Sequence, residues 1–332
     1  MTRRSILAAL CAAAVVLTAC AGSEQEEPPV DPTQRIDEGF AEDADAFAGL
    51  VDVGRGRRMY VECAGQGAPT VVLVSGLDVA GDLWDSPLGP EPRVFPEIAK
   101  TNRVCVYDRP GTTRAIEGGG ASRSDPVPQP TTTADAVDDL RAVLTAAEID
   151  RPIVLVGHSY GGIVSRLYAA MHPDDVVGMV LVDSLSPELR AQMSGDEWEI
   201  WKVANERTAE QIADYPELER LDVDAAFDQV TAANPMPQMP LVIITADEKN
   251  GPKMEAAAAD GDLPPGVPAD FGYVIDAAHE RAQAEVALLA DGAWHVLARS
   301  GHNVMVDNAP VVISGILAVL DAVREGRTTT QE

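Results

Sequence analysis

The residues best suited to chemistry lie in one short stretch, Gly157-His158-Ser159-Tyr160-Gly161, preceded by the apolar run 152–156 and followed by Gly162 and the run 163–170. A serine hydroxyl is a weak nucleophile at neutral pH and gains reactivity only when a base can take its proton. Glycines two positions to either side of Ser159 suit a strained turn that lifts the hydroxyl clear of a sheet, because neighbouring backbone can then pass close. The five-residue pattern alone would arise by chance roughly once in ten chains of this composition. Its place between a buried strand and a helix gives it meaning, and the helix N-terminus beneath adds a positive field.

The order of apolar strand, Gly-x-Ser-x-Gly turn and helix resembles the α/β-hydrolase family, and the resemblance extends from about residue 49 to 325. It implies an α/β fold with a mostly parallel central sheet flanked by helices, a Ser-His-acid triad, and esterase- or lipase-like activity on a small acyl substrate with no cofactor. Among the five histidines, His158 lies in the elbow, His172 at a helix end, His279 in a helix expected at the surface and His295 within a strand, so each has an ordinary structural explanation. His302, in Arg299-Ser300-Gly301-His302 just past the last strand candidate, looks like the family's final-strand loop that brings the catalytic base over the serine.

The triad acid must fall between Ser159 and His302 in chain order. Asp183 ends the strand GMVLVD and is preferred; Asp247 ends LVIITAD, out of the register usual in the family, and is the alternative, with Glu248 or a residue of the insertion described below behind it. The resemblance assigns the two oxyanion-hole amides to Tyr160, next after the nucleophile, and Leu77, in the loop after the third strand. Ser75-Gly76-Leu77-Asp78 stands where many relatives carry His-Gly-x. Tyr107-Asp108-Arg109-Pro110-Gly111 looks like the family's Asp-Arg-x-Gly turn, and Asp108 with Arg109 reads as a buried structural pair.

These residues need elements to hold them. Short β-branched runs predict strands at 58–63, 70–75, 103–107, 152–156, 178–182, 240–245 and 293–298, with 49–53 as a hairpin partner. Helices are expected at 133–148, 160–171, 277–290 and 310–324, the last from Val312, Ile313, Ile316, Leu317, Leu320 and Val323 at three- and four-residue spacing. Residues 184–239 contain helical stretches and no convincing strand, and are expected to form a helical lid inserted between strands 6 and 7, so that the core comprises 48–183 and 240–325 with a tail at 326–332. Trp198 and Trp201, three apart on one helical face, are expected to pack against the core in preference to lining an acyl pocket.

The chain has 332 residues, 25 Lys and Arg against 53 Asp and Glu, a formal charge of −28 and 46% hydrophobic residues. So acidic a chain is repelled by nucleic-acid phosphates and anionic headgroups, which excludes nucleic acid as an expected partner. Arg3 and Arg4 followed by an uncharged stretch to Ala19 have the form of a secretory signal, and Leu17-Thr18-Ala19-Cys20 resembles the lipobox of bacterial lipoproteins. On that reading Cys20 is lipidated, residues 20–47 are an acidic tether with a reach of roughly 30 Å, and the lipid anchor is the sole membrane contact. An ordinary signal cut nearby, with Cys20 incidental and the product secreted, is the alternative. The family's strand order would make the strands bearing Cys63 and Cys105 neighbours, so the resemblance and export together favour a disulfide over two free buried thiols. No spacing suggests a metal site. A catalytically silent surface-binding relative, and an acyltransferase or peptidase with the same triad, stand as competing readings.

Overall fold

The alternation of short apolar runs and longer amphipathic stretches folds as helices layered on both faces of one sheet. The computed structural model describes residues 46–115 and 119–330. The expected signal segment, Cys20 and the expected tether up to residue 45 lie outside the described residues. In chain order the elements are β1 (Phe47–Gly54), β2 (Arg57–Ala64), β3 (Val71–Val74), α1 (Val94–Ala99), β4 (Val104–Tyr107), α2 (Thr133–Ala146), β5 (Ile153–His158), α3 (Tyr160–Met171) and β6 (Val176–Val182). There follow α4 (Pro187–Ala191), α5 (Gly195–Asn205), α6 (Ala209–Asp214), α7 (Val223–Ala232), β7 (Leu241–Thr245), α8 (Asn250–Asp260), α9 (Phe271–Val286), β8 (Trp294–Leu297), α10 (Val304–Asp307) and α11 (Ala309–Arg324).

The sheet order is β1-β2-β4-β3-β5-β6-β7-β8. Only β2 runs against the rest: it pairs antiparallel with β1 and β4, and every other neighbouring pair is parallel. Central strands are buried on both faces, which is why they read as unbroken apolar runs. Successive side chains alternate between two cores. Val72, Leu155, Leu181 and Ile243 meet α2, α3 and α7 through Leu140, Ile163 and Phe227, while Leu73, Val156, Val182 and Ile244 meet α1 and α11 through Phe95, Ile316 and Leu320. Truncating one such leucine to alanine costs about 2–5 kcal/mol. Cys63 and Cys105 are register partners on β2 and β4 and form a disulfide.

Three expectations need correcting. The helix expected at 277–290 spans Phe271–Val286: its buried stripe begins at Phe271 and Ile275, and the apolar stretch after Val286 tightens into a short 3₁₀ turn with Leu288 left 82% exposed. Helix α8 was not expected, because its alanine-rich sequence carries a single large buried side chain, Met254, and so no periodic stripe; Gly261 closes it with φ +79°. Third, the hairpin strand expected at 49–53 is longer at both ends, because β1 spans Phe47–Gly54.

Residues 184–239 carry α4–α7 and no strand. Trp198 is buried, stacks on Trp201 with ring centres 4.7 Å apart, and donates from Nε1 to Asp224 at 2.7 Å. Trp198 shares a buried cluster with Leu140 and Ile163, and Trp201 packs against that of Phe271 and Ile275 on α9, so the tryptophans pack the insertion onto the core. Among the described residues, no helix is long and apolar enough to cross a membrane.

Candidate active site

Strand β5 ends at His158 and α3 begins at Tyr160, so Ser159 alone makes the turn. Its backbone sits at φ +51°, ψ −121°, a conformation that costs a non-glycine residue about 1–3 kcal/mol. The surroundings impose it. Ser159 N–H donates to Val182 O at 3.1 Å, and its carbonyl accepts from the amides of Gly162 and Leu185, both at 3.0 Å. A Cβ on Gly157 would fall 2.6 Å from Gly161 O, and one on Gly161 2.6 Å from Ser75 O, so only glycine fits at either place. Ser159 remains partly accessible while its flanking residues are buried.

His302 stands five residues beyond β8, in the loop that leads into α10. Its Nδ1–H donates to Asp183 Oδ2 at 2.6 Å. Asp183 follows β6 directly, at φ +41°, and is buried. Burial alone would raise its carboxyl, but the hydrogen bonds and positive charge offered by His279 and His302 hold it well below the usual carboxylate range. His279, on α9, donates from Nε2 to the second oxygen, Asp183 Oδ1, at 2.8 Å, and Ala246 N–H reaches the same oxygen at 2.9 Å.

The elbow histidine supports this loop from below. His158 Nε2–H donates to the backbone carbonyl of His302 at 2.9 Å, and the two rings lie 4.6 Å apart. Burial, reinforced by the neighbouring His302, pushes His158 down to about 3, so it stays neutral at physiological pH.

The loop after β3 lies against the elbow, since a Cβ on Gly76 would fall 3.3 Å from Ser159 Cβ. The carbonyls of Ser75 and Gly76 both accept from the Arg109 guanidinium. In a trans peptide the C=O and the next N–H point in opposite directions, so the grip on Gly76 O turns Leu77 N–H away from Arg109. Glu219, buried in the insertion, accepts Arg109 Nε–H at 2.7 Å and the Asp78 amide at 2.7 Å. Arg207, from the same insertion, pairs with Asp78 Oδ2. Ser75, where relatives carry histidine, accepts from Trp84 Nε1 at 3.1 Å and donates to Ala80 O at 3.0 Å.

Asp108 and Arg109 are both buried but do not pair with one another as expected. Asp108 binds Arg123 and the Gly81 amide, while Arg109 takes Glu219 and the carbonyls of Ser75 and Gly76, so each charge is met by a different partner. Asp247 accepts the Ser300 amide at 3.1 Å, and Glu248 pairs with Lys253. His302 and Asp183 are therefore brought together, and Asp247 is not part of that contact. His279 and Glu219 escaped the sequence reading: each lies in a segment that looks like ordinary amphipathic or loop sequence, and no local pattern marks a contact across 96 or 110 residues.

Six described non-glycine residues have positive φ; four of them, Asp78, Ser159, Asp183 and Arg299, fall on or beside the loops that carry Leu77, Ser159, Asp183 and His302. Strain held in one place by its surroundings is a pointer to function.

Comparisons with known proteins agree with this architecture. A model of the alpha/beta hydrolase family matches residues 71–314. The "Putative carbamate hydrolase RutD" of Yersinia enterocolitica is 33% identical over 38% of the chain and 41% of its own length. An uncharacterized Schizosaccharomyces pombe protein is 32% identical over 38% of the chain and 26% of its own length. The chain thus spans less than half the length of these curated relatives. Among solved structures, a "putative lipase" from Acinetobacter baumannii AYE superposes with a TM-score of 0.54 at 17% identity, over 86% of this chain and 94% of that one, a likeness of fold.

Proposed function

Because the chain belongs to the alpha/beta hydrolase family, we propose that it is a serine hydrolase that cleaves a carboxylic ester or related acyl bond through an acyl-enzyme on Ser159. The observation that supports this reading most directly is the 2.6 Å bond from His302 Nδ1 to Asp183, behind an elbow serine at φ +51°. With Nδ1–H committed to the acid, Nε2 of His302 is the basic nitrogen. Ser159 Oγ attacks the acyl carbon as its proton passes to His302 Nε2. The oxyanion is held by the amides of Tyr160, at the N-terminus of α3, and Leu77, whose preceding carbonyl is held by Arg109. Collapse of the tetrahedral adduct expels the alcohol, which takes the proton from His302. Water then attacks the acyl-enzyme, gives a proton to His302 Nε2 and releases the acid, and that proton returns to Ser159 Oγ. Residues 184–239 act as the lid over this site.

The test is labelling with a fluorophosphonate probe, followed by peptide mass mapping. A single adduct on Ser159, lost in Ser159→Ala together with turnover of p-nitrophenyl esters of graded chain length, is the expected result. A folded protein with no adduct would leave the silent binding protein as the better reading.

The exported, Cys20-acylated form is proposed on the sequence of residues 1–20, and the disulfide suits an oxidising compartment. Metabolic labelling with a fatty-acid analogue should mark the wild type and not Cys20→Ala.

A further inference from the structure

The carboxylate of Asp183 sits between two imidazoles. Oδ2 accepts from His302 Nδ1 at 2.6 Å, and Oδ1 accepts from His279 Nε2 at 2.8 Å and from the Ala246 amide at 2.9 Å. His279 reaches it from α9, and one turn further along the same helix face the buried Gln283 donates to the carbonyl of Ser184 at 2.7 Å. Two consecutive residues after β6 are therefore gripped by side chains four apart on one helix. The spacing puts both donors on a single face.

We infer that His279 is a positioning residue for the acid of the triad, fixing from α9 the plane in which Asp183 presents Oδ2 to His302. This rests on the serine hydrolase reading above. A carboxylate bonded through one oxygen can swing about its Cβ–Cγ bond, a torsion with broad wells; donors on both oxygens remove that freedom. Buried as it is, the charged carboxylate also needs its lone pairs filled. Oδ1 can only accept, so His279 presents Nε2–H to it, whatever its charge.

The arrangement has a second consequence. Density drawn toward His279 is taken from the oxygen pair that supports His302, so His279 tempers the basicity of His302 while it orients the acid. The ionisable groups about His279 are Asp183, His302 and His295; burial and the proximity of His279 lower His295, whose Nε2 bonds Thr245 Oγ1. On its own helix, Asp276 is turned to the amides of Asn250 and Gly251, and the exposed Glu280 faces Lys249.

The experiment compares His279→Ala and His279→Gln in ester turnover across pH, with Ser159→Ala alongside. Loss of the donor should lower kcat by about 10- to 100-fold with KM little changed, the scale expected of a misplaced catalytic group. The acid limb of kcat/KM should move to higher pH, because a more basic His302 is protonated sooner as pH falls. His279→Gln, which offers an amide N–H near the Nε2 position, should recover most of kcat and the wild-type limb. A packing role alone would change thermal stability without moving the limb or distinguishing Gln from Ala. Wild-type kcat and pH profile in His279→Ala, or equal loss in folded Ala and Gln variants, would overturn the inference. If Ser159→Ala is inert while His279→Ala behaves as wild type, the inference alone falls; if Ser159→Ala turns over normally, the hydrolase reading falls and takes the inference with it.

Discussion

His158, the residue before the elbow serine, donates its Nε2–H to the backbone carbonyl of His302 at 2.9 Å. Two loops 144 residues apart are tied by a group that must stay neutral to sit where it does, since burial pushes it down to about 3.

That tie makes stability depend on pH. A histidine with a depressed folded pKa binds a proton in the unfolded chain first, so stability is complete above about 6.5 and declines as pH falls toward about 3. Between about pH 7 and about pH 4.5 the wild type should lose some 2–3 kcal/mol more than His158→Gln, which keeps the donor and does not titrate. Urea unfolding at the two pH values measures it; equal losses would show that His158 is not the buried group responsible.

The choice of acid is open to a direct comparison. Asp183→Asn should lower ester turnover by roughly 10³–10⁴-fold, because the amide no longer fixes the tautomer of His302 or stabilises its imidazolium. Asp247→Asn should leave turnover within about threefold, since Asp247 serves the Ser300 amide. Steady-state kinetics of the two variants would reverse the assignment if the second proved the damaging one.

The positive φ of Ser159 implies strain that glycine relieves. Ser159→Gly and Ser159→Ala should both be inert, but the glycine variant should be the more stable by about 1 kcal/mol, because alanine keeps the Cβ that the φ disfavours. Paired denaturation curves decide it, and an alanine variant as stable as glycine would remove the strain argument.

Glu219, with Arg207, is what the insertion brings to the loop after β3. Removal of Glu219 strands a buried guanidinium, which costs about 3–5 kcal/mol, and frees the Gly76–Leu77 peptide to flip. Glu219→Gln should therefore lower kcat by about 10²-fold or more through the lost oxyanion donor, with fluorophosphonate labelling slowed and the fold retained. Labelling at the wild-type rate would mean that Arg109 holds the peptide without Glu219.

Much of the fold is legible in the sequence. The strand runs 152–156 and 240–245, the elbow between β5 and α3, and the stripe Val312–Leu320 of α11 carry local signals: apolar continuity, glycine spacing and a 3.6-residue period. His302 is singled out in the sequence by its resemblance to the family's final-strand loop, and the structure places it beside Asp183. Helix α8 is not legible there, because an alanine-rich helix with one buried methionine has no periodic face to read.

The sequence by itself determined the strands of the sheet, the helices with a periodic apolar face and the chemistry on offer, because those follow from neighbours along the chain. It left Asp183 and Asp247 as rivals, treated His279 as surface, and paired Asp108 with Arg109. Only the tertiary structure sets the contacts these residues make: β6 and β7 are adjacent and parallel, so both carboxylates emerge at the same end of the sheet, and which one meets His302 depends on where α9, Ser300 and the last loop come to rest. Contacts between residues about a hundred positions apart are set by packing, and no local pattern encodes them.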